Sequence, residues 1–281
     1  MKKIALTSLL SVFAVSGAYA ANAIDGNPLY MPAKGHAYSV TAVETHTENT
    51  TPWTLGEEFG YGVTDKLAVN INTSASENDS FDYMSWDDLS VKATFRALDK
   101  GSLKLDVYGA YGLDSLNAAG FGFGFGGVWP DHRPFMDEDD TAYTWTAGVR
   151  GGYVASNWTI AGHVAFSYSN SESFNWGDKG MHYMTFGLDG QYVIDSNWNL
   201  VAGAEYVGVT NDKYAYDDME GPDVKNAGTI TGYFGVNYNI DATKYVGAYI
   251  NGSMNHQGGT NNDEWDSDDG FGYGVKFGIQ F

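Results

Sequence analysis

From residue 36 onward, apolar and polar side chains alternate with a period of two in segments of about ten to twelve residues, the spacing of strands and not of helices. The last segment is the clearest. Phe271, Tyr273, Val275, Phe277, Ile279 and Phe281 fall on one face, and Gly270, Gly272, Gly274, Lys276, Gly278 and Gln280 on the other. Earlier segments repeat the pattern. Ile230, Phe234, Val236, Tyr238 and Ile240 alternate with Thr229, Thr231, Tyr233, Asn237 and Asn239. Trp158, Ile160, Val164, Phe166 and Tyr168 alternate with Thr159, Ala161, His163, Ala165 and Ser167. A soluble β-sandwich has the same period, so the connections must discriminate.

Short and long connections take turns along the chain. The short ones are Thr64-Asp65-Lys66, Leu98-Asp99-Lys100-Gly101, Ala155-Ser156-Asn157, Asp195-Ser196-Asn197 and Asp241-Ala242-Thr243. Longer polar stretches lie near 47–52, 76–87, 112–141, 169–180, 210–226 and 255–269. Five short turns and six long loops join twelve strands; ten is the alternative if the first hairpin is miscounted. An even strand number, short turns at one end and long loops at the other predict an all-β chain folded as a transmembrane antiparallel up-and-down β-barrel over 36–281. Ser156-Asn157-Trp158 and Ser196-Asn197-Trp198 each put a Trp at the start of the next strand, where it would join a periplasmic aromatic girdle.

The N-terminus adds a compartment. Lys2-Lys3, an apolar run from Ile4 to about Val15 and Ala18-Tyr19-Ala20 form a secretory signal peptide over 1–20, with Ala21-Asn22-Ala23 as a second candidate cleavage site. Residues 21–35 are then expected to be a periplasmic N-terminal segment.

Composition narrows the class. The 36 glycines without a three-residue period, beside 6 prolines, exclude collagen; 8 Trp, 20 Tyr and 15 Phe argue against disorder. With 35 acidic and 15 basic side chains, the net charge of −20 argues against a nucleic-acid partner, which needs a basic face. The absence of cysteine removes disulfides, thiolate metal sites and thiol nucleophiles.

These features together resemble the Gram-negative outer-membrane β-barrel proteins, in particular the small porin-like and transporter-like group. The resemblance covers about residues 36–281 and rests on the signal peptide, the hairpin pattern, the turn Tyr61-Gly62-Val63-Thr64-Asp65-Lys66-Leu67 and a last strand ending in Phe281. It implies that Phe281 is the assembly signal read by the barrel-assembly machinery, and that the wall is bathed in outer-membrane lipid and lipopolysaccharide.

With the apolar face assigned to lipid, because charge is costly there, the inward charges are Glu58, Asp106, Asp189 and Glu205 against Lys92, Arg96, Lys104, Arg150 and Lys276. The lumen is thus near neutral. Most acids fall in the six long loops, which hold only four bases, Arg133, Lys179, Lys213 and Lys225. Two acids resist the assignment. Glu57 shares a face with Leu55, Phe59 and Tyr61, so it either sits at the outer interface or marks a bulge; Glu44 poses a milder case.

The mixed lumen charges could line a pore with a transverse field or form a salt-bridged filling. Inward glycines, Ala161 and Ala165 leave space and favour a narrow channel. Loop 112–141 either folds inward as a constriction or stands as an extended hairpin; its Gly122, Gly124 and Gly127 match a dinucleotide fingerprint by spacing alone, without the βαβ unit that would give it meaning. Asp137 to Asp140, and Asp263, Glu264, Asp266, Asp268 and Asp269, could bind Ca²⁺ or Mg²⁺ weakly and bridge to lipopolysaccharide phosphates, or be a solvated acidic surface. Asp131-His132 resembles the acid–His pair of omptin proteases only superficially, and neither His-Glu-x-x-His nor Gly-x-Ser-x-Gly occurs. The expectation is a non-enzymatic barrel passing small hydrophilic solutes with a preference for cations. The alternatives are a structural or surface-interaction barrel working through its loops and, behind it, an outer-membrane hydrolase.

Overall fold

A computed structural model describes residues 26–46, 53–77, 84–115, 141–171, 181–210, 215–216, 219–220, 228–256, 265–266 and 271–281. Twelve strands build the wall. They are β1 (Ala37–His46), β2 (Thr54–Thr64), β3 (Leu67–Glu77), β4 (Met84–Lys100), β5 (Leu103–Ser115), β6 (Thr141–Val154), β7 (Trp158–Ser171), β8 (Met181–Val193), β9 (Trp198–Val209), β10 (Gly228–Asn239), β11 (Lys244–His256) and β12 (Phe271–Gln280). Each pairs antiparallel with its sequence neighbours, and β1 closes on β12 from Tyr38↔Gln280 to His46↔Gly272. Closure leaves no free edge, so every strand in the wall has a ladder on both sides.

Alternation sorts the two faces. On β12, Tyr273, Val275 and Phe277 are exposed while Gly272, Gly274, Lys276 and Gly278 are buried. The same split holds on β7, with Ile160, Val164 and Phe166 outside and Ala161, Ala165 and Ser167 inside. Large apolar side chains exposed all round the wall match a hydrocarbon solvent, because in water such a belt would drive association. Aromatic pairs mark both ends of that belt. Tyr153–Trp158 and Trp198–Tyr238, with ring centroids 5.4 and 4.8 Å apart, stand at the short-turn end, and Tyr111–Trp145 at 4.5 Å lies toward the long loops.

The short turns are set by side chains that bond their own backbone. Asp195 accepts the amides of Asn197 and Trp198 at 2.8 and 2.9 Å, which holds its carboxyl below the usual carboxylate range. Asp241 accepts the Thr243 amide at 2.7 Å and the Thr243 hydroxyl at 2.8 Å, so its carboxyl falls to about 2. The turn expected over 98–101 lies further on, because β4 continues to Lys100 past a register shift between Arg96 and Leu98. Gly101 then supplies the left-handed backbone, φ 58°, that closes it. Residues 84–87 and 112–115, expected in loops, extend β4 and β5, since the β3–β4 ladder runs on to Met84 and the β5–β6 ladder to Ser115.

Candidate functional site

The inward face carries the polar chemistry, in two main networks. On β1 to β6, the hydroxyl of Tyr38 donates to Glu58, and the Asn70 amide donates to Glu58 Oε1 at 2.8 Å and to the Tyr38 hydroxyl. Beside them Asp106, fully buried, accepts from two guanidinium groups: Arg96 at 2.8 and 3.2 Å, and Arg150 at 2.9 Å. Lys92 lies over the Tyr108 ring, 5.5 Å from its centroid. Lys104 sits nearer the turn and pairs with the exposed Asp99 at 2.8 Å. Across the lumen, His163 Nε2 meets Glu205 Oε2 at 2.7 Å and Nδ1 meets Asp189 Oδ2 at 3.3 Å, while Tyr233 donates to Asp189 at 3.1 Å. Lys276 lies over Tyr245 at 5.8 Å.

All nine charged residues expected inside therefore stand on the inward side of their strands, and a tenth joins them. Glu44 points inward and accepts the Tyr249 hydroxyl at 2.7 Å, so it is not a lipid-facing acid. Counting it, five acids meet five bases in the interior among the described residues. Glu57 does face outward, between Leu55 and Phe59, with no bulge to turn it; the β2 register shift lies between Gly62 and Thr64. Its carboxylate is held by the hydroxyls of Ser39 and of Thr41, the latter at 2.5 Å.

The inward glycines have a use that spacing did not reveal. A β-carbon on Gly60, Gly148, Gly187, Gly203, Gly274 or Gly278 would collide with the ring of Tyr38, Tyr108, His163, Tyr233, Tyr249 or Tyr245 respectively, at 2.0–2.4 Å. In every case glycine and ring are direct cross-strand partners. The space expected to widen the lumen is filled by rings lying flat against the wall.

A further element enters the lumen at the short-turn end. Residues 26–36 form no strand, yet Asn27 and Leu29 are buried. Arg96 Nη2 donates to the Leu29 carbonyl at 2.5 Å and Arg150 Nη2 to the Tyr30 carbonyl at 3.5 Å. The sequence held no periodic signal for this, because the contacts join a short irregular stretch to strands more than sixty residues away.

Other expected features fall differently. His163 and Ser167 share the inward face, but Ser167 bonds Thr146 at 2.8 Å while His163 faces the carboxylates. Phe281 is exposed, and its amide donates to Ala37. Asp131, His132, Asp137 to Asp140, Asp263, Glu264, Asp268 and Asp269 lie outside the described residues, as do the signal peptide and the glycine-rich part of loop 112–141. Asp266 pairs through its backbone with Asn255. Among the described residues, no group of three or more His, Asp and Glu is arranged to hold a metal ion.

No protein-family model matches the sequence, and no curated protein matches it. Solved structures do match in fold. The NanC porin superposes with a TM-score of 0.53 at 10% identity, over 86% of this chain and 98% of the porin. The KdgM porin in complex with disordered oligogalacturonate gives 0.50 at 8% identity, over 87% and 99%. The closed twelve-stranded wall, apolar belt and polar interior give this chain a β-barrel with the fold of those porins.

Proposed function

We propose that the barrel passes small hydrophilic solutes across the outer membrane, and that its acidic loops favour cations. The observation that carries this reading is the polarity of the interior. The inward faces of the strands carry Thr159, Thr185, Thr231 and Asn251 beside the charged groups named above, and a face lined with hydroxyl, amide and charged groups supports a conduit for water and hydrophilic solutes. Loops rich in acid raise the local concentration of cations at the mouth, an effect that salt screens. The test is reconstitution in planar bilayers. Discrete conductance steps are expected, with a reversal potential of cation-selective sign that shrinks as salt rises. Anion preference at low salt overturns the reading, as does a lack of discrete conductance both in this chain and in one lacking residues 26–33.

A second reading has its own support. Glu58, Arg96, Asp106, Asp189, Glu205 and Lys276 are all buried despite facing the lumen, which suits a filled barrel whose loops bind divalent cations, lipopolysaccharide phosphates or a partner. It predicts no conductance, together with a fall in thermal stability on EDTA treatment. Unchanged melting in EDTA counts against the divalent bridge.

A further inference from the structure

The segment before β1 follows a chord across the lumen. At one end, Lys34 bridges to Gly62 of β2, the Gly35 amide donates to the Gly62 carbonyl at 2.8 Å, and the Gly62 amide donates to the His36 carbonyl at 2.9 Å. In the middle, Leu29 packs on β6, where a β-carbon at Gly152 would stand 2.9 Å from Leu29 Cδ1. At the far end, Gly26 abuts Val201 of β9 and Asn237 of β10. On a twelve-stranded circuit β2 and β9 are nearly opposite, so the path spans the opening and does not follow the rim.

Its attachments are unequal. The β2 end is fastened by paired backbone groups, and Gly35 beside it has φ 81°, a conformation open to glycine. Beyond that end the holds include two carbonyl contacts to guanidinium groups, the one to Arg150 long at 3.5 Å, and the edge-on contact of the Tyr30 ring with Tyr38, centroids 5.2 Å apart. Both guanidinium groups already have Asp106 as their ionic partner. The segment can therefore leave without stranding a charge, because the Arg96–Asp106–Arg150 bridge belongs wholly to the wall. Between segment and wall lies a cavity of about 20 Å³, lined by Tyr30, Glu58, Asn70, Lys92 and Arg150, which departure of the segment would merge with the lumen.

We propose that residues 26–33 are a tethered plug that closes the short-turn end of the lumen and swings about Gly35 to open it. The proposal rests on the reading of the barrel as a conduit. Two variants in planar bilayers test it, with heat-modifiable gel migration as the check that each has folded. Removing residues 26–33 should raise open probability or unitary conductance by about threefold or more, as expected when a constriction is lifted. Because the chain has no cysteine, the pair Gly26→Cys with Val201→Cys can form only its own bridge. The β-carbons would stand 3.5 Å apart, within disulfide reach. Oxidation should lock the barrel shut and reductant should reopen it. Should strain at residue 26, φ 106°, prevent the bridge, the deletion decides alone. Conductance that is the same in full and shortened chains overturns the plug while leaving the conduit standing; silence from both overturns the conduit and the plug with it.

Discussion

The two faces of the same strands obey different rules. On the lipid side, neighbours such as Val107 and Val149 are interchangeable apolar groups, each exposed and each needing only hydrocarbon around it. One position along, Asp106 and Arg150 face each other inside, and there identity matters because each is the partner of the other. A wall solvated by lipid needs composition; a lumen lined with charge needs matching.

The largest effect should come from breaking a match. Asp106→Ala leaves two buried guanidinium groups without their carboxylate, and removing one partner of a buried pair costs about 3–5 kcal/mol. Urea unfolding in micelles should show that loss, whereas Val107→Ala next to it should cost far less; equal losses would erase the distinction between faces. Next comes a charge placed on the wrong side. Val149→Arg on the exposed wall should cost about 2–4 kcal/mol near the bilayer midplane, measured the same way, and a neutral result would mean that this face does not meet lipid.

Gly148→Ala probes the fit of ring on glycine. The new methyl would stand 2.4 Å from the Tyr108 ring, so the ring must lift into the lumen at a cost of about 1–3 kcal/mol. A drop in single-channel conductance should accompany it. Alanine in place of Gly162, whose surroundings at the same distance are open but for one backbone oxygen at 3.6 Å, is the control.

Glu57 is the exception to the comparison. Its hydrogen bonds to Ser39 and Thr41 offset the cost of a polar group facing lipid. Glu57→Leu should therefore move stability by less than about 1 kcal/mol, losing the bonds while gaining apolar contact. A larger loss would show that this patch of the outer wall is matched like the lumen.

The smallest effect lies in a turn. The Asp241 carboxyl titrates near 2, below its unfolded value, so its contribution is present above the unfolded value and fades as pH falls through about 2. Comparing Asp241→Asn with the parent between about pH 5 and 2 should show a shallower pH slope in the variant.

Much of this was legible in order of locality. Arg96 and Asp106 flank one short turn, so a hairpin alone brings them near each other, although the one-residue shift between Arg96 and Leu98 sets the final pairing. Arg150 could be placed inside by parity, but its meeting with Asp106 follows from the β5–β6 register across a long connection. Tyr108 over Gly148 is likewise a register fact. Glu44 escapes the rule because Tyr38, Val40 and Ala42 share its face, so the apolar side of this strand is the inward one, and the Tyr249 hydroxyl that donates to it is 205 residues away.

The sequence by itself determined which side of the wall almost every strand residue takes, because side-chain direction repeats every two residues and needs no knowledge of any other strand. It also determined which ends carry short turns, since Asp and Gly act on their own backbone. Only the tertiary structure decided which inward groups meet, and that residues 26–36 lie across the lumen. Those facts depend on how twelve strands are staggered when β1 closes on β12, a constraint on the whole chain that no single segment contains.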